Sequence, residues 1–389
     1  MTSAAPIHYL DHAATTPVSA AAIDALCRTL VDEPANPSGA HRLARRANAV
    51  LDDARDAMAD LLGARPSEVI FTSGGTEADN LAVAAALAEG QAAGRTGPPA
   101  CSAIEHHAVL EPVEHAGGVT VPVDAAGVVD LDALAATIDE RTPLVSVMAV
   151  NNEVGTIQPL DAIAEVVRRE APGAWFHVDA VQGFAWLDPS AWAAADLVSV
   201  SAHKFHGPKG TGALVARGGR PIRPLAVGGG QEQGRRGGTP NLAGIVAMSV
   251  AAAEAADDRA NRNDRVWALR HRLADGLLAA VPDAVETVPR AATVPGIAHL
   301  CFDGAESEAL LILLERGGVM ASAAASCSSG AMEPSHVLSA LGVERSRAFG
   351  SLRLSLSATS TDADVDAALA VVPDAVARAR GERPAMEAN

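Results

Sequence analysis

Lysine is nearly missing from this sequence: of 30 basic residues, only Lys204 and Lys209 are lysines. Any chemistry that needs a side-chain amine therefore has two candidates. Cysteine is scarce too. Cys27, Cys101, Cys301 and Cys327 lie far apart with no C-x-x-C pair, which disfavours a zinc site or a thioredoxin-like motif. So few cysteines in so long a chain make no disulfide framework. What remains is buried structural thiols, or one reactive thiol. No apolar run reaches the roughly 18 residues that span a bilayer. The start, Met1 to Ile7, shows no basic region followed by an apolar stretch. A soluble cytoplasmic protein without a membrane partner is expected. Positive charge is in deficit, with a net charge of −17. An acidic surface repels phosphate backbones, so direct nucleic-acid binding is not expected. No metal site is expected, and no internal repeat is visible.

What is present is an ordinary globular composition, 49% hydrophobic and 20% charged, over 389 residues. That length suits two domains, or one large and one small. Short apolar runs end in polar residues. Val69 to Phe71 leads through Ser73-Gly74-Gly75-Thr76 into a helix reaching about Glu89. Leu144 to Val150 ends at Asn151-Asn152, Trp175 to Val178 at Asp179, and Leu197 to Val200 at Ser201-Ala202-His203-Lys204. Runs that are apolar throughout and separated by helical patterns predict a parallel sheet covered on both faces. Ligands of such sheets bind beyond the carboxyl ends of the strands, so Thr76, Asn152, Asp179 and Lys204 are expected to converge on one crevice. A polar helix around Asp257 to Ala280 marks the domain boundary. Beyond it are expected a strand at Gly296 to Phe302, a helix at Glu306 to Arg316 and a strand near Val319. A strand at Ser351 to Ser357 and a closing helix from Thr361 follow, the latter with Asp364 completing a capping box. Ala321 to Gly330 holds only Ala, Ser and Gly apart from Cys327.

Lys204 follows a β-run, and a lysine there can form a Schiff base with an aldehyde cofactor. The alternative is a turn lysine, which suits Lys209, flanked by Pro and Gly, better. The G-x-x-x-x-G-K pattern of a nucleotide-binding loop is absent. Asp179 can hold a pyridine nitrogen protonated, or simply cap a helix. Gly74-Gly75-Thr76 opens a helix whose free N–H groups can bind phosphate. His106, beside His107, can stack on a flat ring, though a lone histidine is more often structural. Cys327 has small polar neighbours and is the best candidate for an accessible thiolate. Cys27, Cys101 and Cys301 read as structural. Arg353, in a strand, either meets an anionic ligand or forms a structural salt bridge.

Taken together and in order, these segments resemble the cysteine desulfurases of the NifS/IscS kind. The match runs nearly end to end through Leu10-Asp11-His12-Ala13-Ala14-Thr15-Thr16-Pro17, Asn36-Pro37-Ser38, Thr72-Ser73-Gly74-Gly75-Thr76-Glu77 and Glu105-His106-His107. It continues through Asn151-Asn152-Glu153-Val154-Gly155, His177-Val178-Asp179-Ala180, His203-Lys204, Glu333-Pro334-Ser335-His336 and Leu352-Arg353-Leu354-Ser355. The resemblance implies an α/β protein of PLP-dependent transferase fold type I (aspartate-aminotransferase-like). A large domain with a mainly parallel sheet, residues 13–258, would bind pyridoxal 5'-phosphate (PLP). A smaller α/β domain, residues 1–12 and 259–389, would carry the cysteine loop. Lys204 would carry the cofactor, and His106 would stack on it and act as acid or base. Asp179 would pair with the pyridine nitrogen, while Gln182 and Asn152 would contact the ring oxygen or the substrate. Gly75, Thr76, Ser201 and His203 would hold the phosphate, joined by Thr239 from the other subunit of a homodimer. Asn36 and Arg353 would grip the carboxylate of L-cysteine. The Cys327 thiolate would take the sulfur as a persulfide, release alanine and pass the sulfur to an acceptor protein. Iron–sulfur assembly, tRNA thiolation and DNA phosphorothioation are the pathways implied, with the match closest to the last. A selenocysteine lyase or an aminotransferase of the same fold is the alternative.

Two positions depart from the family pattern. Ala324 stands where a glycine is usual before the cysteine; alanine does not reach positive φ cheaply, so a stiffer or differently placed loop is expected. Gly237 replaces the usual serine before Gly238-Thr239, and the loss of one polar contact near the phosphate is the expected effect.

Overall fold

The computed structural model describes residues 6–323 and 334–382. In chain order it holds β1 (His8–Tyr9), α1 (Ala20–Asp32), α2 (Arg42–Leu62), β2 (Val69–Thr72), α3 (Gly75–Ala92), β3 (Ala100–Ser102) and α4 (His107–His115). Next come β4 (Val119–Val121), α5 (Leu131–Thr137), β5 (Leu144–Ser146), α6 (Leu160–Glu170), β6 (Trp175–Asp179), β7 (Leu197–Ser201), β8 (Gly212–Ala216) and α7 (Leu242–Ala256). The last part is α8 (Arg259–Ala280), β9 (Ala284–Glu286), β10 (Ile297–Phe302), α9 (Ser307–Arg316), β11 (Val319–Met320), α10 (His336–Ala340), α11 (Arg345–Ala348), β12 (Ser351–Ser355) and α12 (Asp362–Ala379).

Seven strands form one sheet in the order β2-β8-β7-β6-β5-β3-β4. Every pairing is parallel except those of β8, which runs antiparallel to both β2 and β7. The mainly parallel sheet is as expected. The reversal is not, because the stretch after Lys204 reads as a Gly-rich turn; Gly212–Ala216 nevertheless forms a fully buried strand. β2, β5, β6 and β7 are also buried at every residue, as strands covered on both faces must be. The run Leu144 to Val150 is a strand only to Ser146. Beyond it, Val147 and Ala149 still donate their N–H groups to the carbonyls of His177 and Asp179.

α3 is rich in alanine and buries Ala78, Leu81, Ala82, Ala85 and Ala86, so it lies close against the sheet. The second sheet is antiparallel, in the order β12-β10-β9. α12 packs on α8 and α9 and opens with the expected capping box of Thr361 and Asp364. The polar helix begins at Arg259, because Asp258 adopts a left-handed conformation (φ 48°). β1 pairs in parallel with β11, and Ser355 N donates to Leu10 O at 2.7 Å. This lays Ala13 and Ala14 across the carboxyl ends of the large sheet. No helix among the described residues is long and apolar enough to cross a membrane.

Candidate active site

Parallel strands put their carboxyl ends on one side. There the segments after β2, β3, β5, β6 and β7 enclose a cavity of about 300 Å³. Gly75, Thr76, His106, Asn152, Asp179, Gln182, Ser201, His203 and Lys204 all line it. Nine predicted site residues therefore meet, drawn from positions 75 to 204.

Lys204 sits just past β7, and its Nζ donates to the carbonyls of Ala13 (2.6 Å) and Ala14 (3.0 Å). Burial, then the Arg353 charge, push its pKa down to about 8. A share of this amine is thus neutral and nucleophilic near neutral pH. Asp179 ends β6 and accepts from Val181 N at 2.8 Å. Burial raises its pKa to about 6, against the opposing pull of that N–H and of Lys204. Gln182 is oriented by its amide N–H to Ala13 O.

His106 caps α4, and its Nδ1 accepts the N–H of Ala108 at 3.1 Å. Desolvation, then Lys204 and the neighbouring histidines, lower its pKa to about 4, although the ring stays open to the cavity. A neutral ring with Nδ1 accepting carries its proton on Nε2. His203 is likewise lowered to about 4, first by desolvation and then by Lys204 and Lys209, and its Nδ1 meets Thr15 Oγ1 at 3.2 Å.

At the other end of the cavity, α3 starts at Gly75 with no side-chain cap on its free N–H groups. Gly74 has φ +155°, which a side chain rarely adopts. A Cβ on Gly75 would come within 2.8 Å of Val181 Cγ2, so glycine sets how closely the helix start approaches β6 and β7. Ser201 Oγ is buried here without a hydrogen-bond partner among the described residues. An orphaned hydroxyl beside an uncapped helix start is what a bound phosphate would satisfy. With an amine of lowered pKa and a buried carboxylate in the same wall, the donor set fits PLP.

Three predicted residues among those described do not line this cavity. Arg353 is buried on β12, donating from Nη2 to Asp11 Oδ1 (2.7 Å) and from Nη1 to Asn152 O (2.8 Å). Arg353 thus forms a salt bridge with Asp11, touches the Asn152 backbone at the cavity and acts by its charge on Lys204. Asn36 is exposed between α1 and α2, with Oδ1 accepting from Ser38 N. Thr239 is exposed on the loop before α7. Cys327, like Ala324, lies outside the described residues. Of the other thiols, Cys101 and Cys301 are buried, with burial raising both pKa values, while Cys27 is exposed on α1. The Gly237 departure has a steric cause: a Cβ there would meet Gly228 O at 2.6 Å, so this loop leaves no room for serine.

The sequence reading missed Asp79, which lines the cavity and is 2% exposed. It lies one helical turn past Thr76, a spacing that puts both on one face. It also missed Glu105 beneath His106. Burial raises that carboxyl to about 8 while Ser102 Oγ and Met148 N donate to Oε1.

Comparison with known proteins gives a consistent picture. The aminotransferase class-V family matches residues 8–368. The chain is 46% identical over 387 residues to an IscS-like cysteine desulfurase of Mycobacterium tuberculosis (strain ATCC 25618 / H37Rv), covering 96% of this chain and 97% of that protein. A solved NifS-like protein superposes with a TM-score of 0.89 at 35% identity, covering 96% of this chain and all (100%) of that one. DndA from Streptomyces lividans superposes at 0.75 and 34% identity, covering 89% and 99%.

Proposed function

The chain belongs to the aminotransferase class-V family, and on that premise we propose that it is a PLP-dependent cysteine desulfurase converting L-cysteine to L-alanine. The observation that carries this reading is the cavity wall in which Lys204, Asp179, Ser201 and the bare start of α3 face one space.

PLP supplies an electron-withdrawing ring that stabilises negative charge at the substrate α-carbon. The protein does the rest. Lys204 would hold the cofactor by its amine, and its Nζ would take the substrate α-proton. A pKa of about 8 suits both duties near neutral pH. Asp179 keeps one negative charge at the ring nitrogen. Ser201, His203, Thr76 and the N–H of Gly75 hold the phosphate, and Thr239 of a partner subunit in a homodimer joins them. His106, which lines the cavity, would contact the ring and move a proton at Nε2, controlling the thiol–thiolate balance. Gln182 and Asn152 contact the ring oxygen or the substrate. Arg353 and Asn36 bind the substrate carboxylate, for which Arg353 must share its fork with Asp11. The Cys327 thiolate would form an S–S bond to the substrate sulfur as the substrate Cβ–S bond breaks, the electron pair of that bond leaving with the carbon fragment that becomes alanine. The persulfide sulfur would then pass to an acceptor protein serving iron–sulfur assembly, tRNA thiolation or DNA phosphorothioation.

We assign residues 13–258 to the cofactor domain and 1–12 with 259–389 to the small domain. The pairing of β1 with β11 supports placing the N-terminal strand with the second part.

The test is to incubate purified protein with L-cysteine and a reductant and to assay alanine and sulfide. Wild type is expected to form both. Cys327→Ser is expected to form neither while keeping the visible absorbance of the bound cofactor. Lys204→Ala is expected to lose that absorbance. A Cys327→Ser variant as active as wild type would refute the nucleophile and favour the lyase or aminotransferase reading.

A further inference from the structure

Behind Asp179 lies a second buried carboxyl for which the mechanism has no use. Asp79 projects from α3 into the cavity wall, and its Oδ1 has no hydrogen-bond partner among the described residues. The Ser199 hydroxyl acts on its carboxyl and favours the charged form. Ser199 Oγ also lies 3.0 Å from His177 Nε2, and His177 Nδ1 lies 2.8 Å from Ser146 Oγ. Asp79 Oδ1 itself is 3.6 Å from His177 Nε2. These residues come from α3, β7, β6 and β5, and every one is buried.

The chain of donors can run in two senses. With Asp79 ionised, Ser146 O–H donates to His177 Nδ1, His177 Nε2–H to Ser199, and Ser199 O–H to the carboxylate. With Asp79 protonated, each bond reverses and His177 carries its proton on Nδ1. In either sense the imidazole stays neutral, as burial requires. The network therefore accommodates Asp79 with or without a proton at the cost of one tautomer change.

Two carboxylates in one dry wall cannot both be charged cheaply. We propose that Asp79 is a positioning residue for the cofactor: it takes the proton that Asp179 gives up, so that the wall's single negative charge rests on Asp179 at the ring nitrogen. This rests on the cavity holding PLP. The charged and titratable groups facing Asp79 are Asp179 and His177 of β6 and Glu105 after β3, with Lys204 acting on Asp179. β2, β5 and β8, also packed on α3, carry no titratable side chain, and those of α4 itself are exposed. Burial, Asp179 and Glu105 all favour the protonated form of Asp79.

The experiment is a visible-absorbance titration of the holoenzyme from pH 5 to 10, for wild type, Asp79→Asn and Ser199→Ala. PLP dissociation constants are measured by equilibrium dialysis at each end of the range, and far-UV circular dichroism checks folding. Asp79→Asn is fixed in the neutral state. Its spectrum and PLP affinity are expected to match wild type at low pH and to diverge at high pH, where Asp79 of the wild type ionises. Ser199→Ala keeps the carboxyl but removes the donor that stabilises its charge. The same transition is expected to rise by at least about one pH unit, tenfold in proton affinity. Curves for both variants that superpose on wild type at every pH would overturn the proposal while leaving PLP binding intact. A wild type that shows no cofactor absorbance and binds no PLP would overturn it together with the reading beneath it. Should Asp79→Asn fail to fold, the direction of the Ser199→Ala shift decides alone.

Discussion

The approach of α3 to the sheet can be tested by adding one methyl group. Gly75 has an ordinary backbone conformation, since its φ is not positive, so Gly75→Ala introduces no backbone strain. Its new Cβ would, however, sit 2.8 Å from Val181 Cγ2 and 3.4 Å from Ser201 Cβ. The first distance is well inside van der Waals contact, and overpacking of this kind costs about 1–3 kcal/mol. The strain falls on a methyl group, so Val181→Ala should relieve it. Alone, Val181→Ala removes two methyl-sized groups from a half-buried site and costs no more than about 1.6 kcal/mol. The double variant is then expected to be more stable than the sum of the two single losses, by about 1–2 kcal/mol. Urea unfolding of the cofactor-free protein measures the cycle. Equilibrium dialysis of PLP shows whether the displaced helix start weakens phosphate binding and whether Val181→Ala restores it. A strictly additive double variant would refute the argument that this contact sets the spacing.

Three further outcomes are expected. Glu105 is held protonated by burial, with its pKa raised from 4.5 to about 8, so between those values the native state binds more protons than the unfolded state and stability falls as pH rises. Glu105→Gln should remove this slope and stabilise the protein at pH 8 by about 1–3 kcal/mol, read from urea unfolding at pH 5 and 8. Lys204 shows the opposite sign: lowered from 10.5 to about 8, it binds fewer protons in the native state than in the unfolded state across that window, so its contribution to stability grows with rising pH. In the cofactor-free protein, the difference between wild type and Lys204→Met should move towards wild type by on the order of 2 kcal/mol between pH 8 and 10.5. A heterodimer of one Lys204→Ala subunit and one Thr239→Val subunit should retain about one intact site, with activity well above either homodimer, if Thr239 serves the other subunit's cofactor. Equal activities would argue against an exchanged residue.

The legible part of the site was the part written in strand ends. Lys204, Asp179 and Asn152 follow apolar runs, and parallel pairing brings such ends to one side whatever the details of the turns. Thr76 could be placed for the same reason, and Asp79 could have been found one turn beyond it. Leu144 to Val150 shows the limit of run length. The apolar pattern continues past Ser146, but the ladder ends there and the chain turns towards Asn152. Arg353 shows another limit, because a strand arginine can meet a ligand or a partner. Only the laying of β1 against β11 and of Leu10 against Ser355 brought Asp11 within 2.7 Å of its fork.

The sequence by itself determined the sheet's parallel character, the amine and the order of the polar strand ends, because these follow from local apolar runs and from there being only two lysines. Tertiary structure decided the rest. It reversed β8, closed the Ala13 and Ala14 carbonyls over Lys204, left Ser201 Oγ without a hydrogen-bond partner among the described residues, and set two carboxyls, Asp79 and Asp179, in one wall. Each of these depends on segments far apart in the chain. The protonation states that follow are properties of the shared, desolvated space and of no single residue in it.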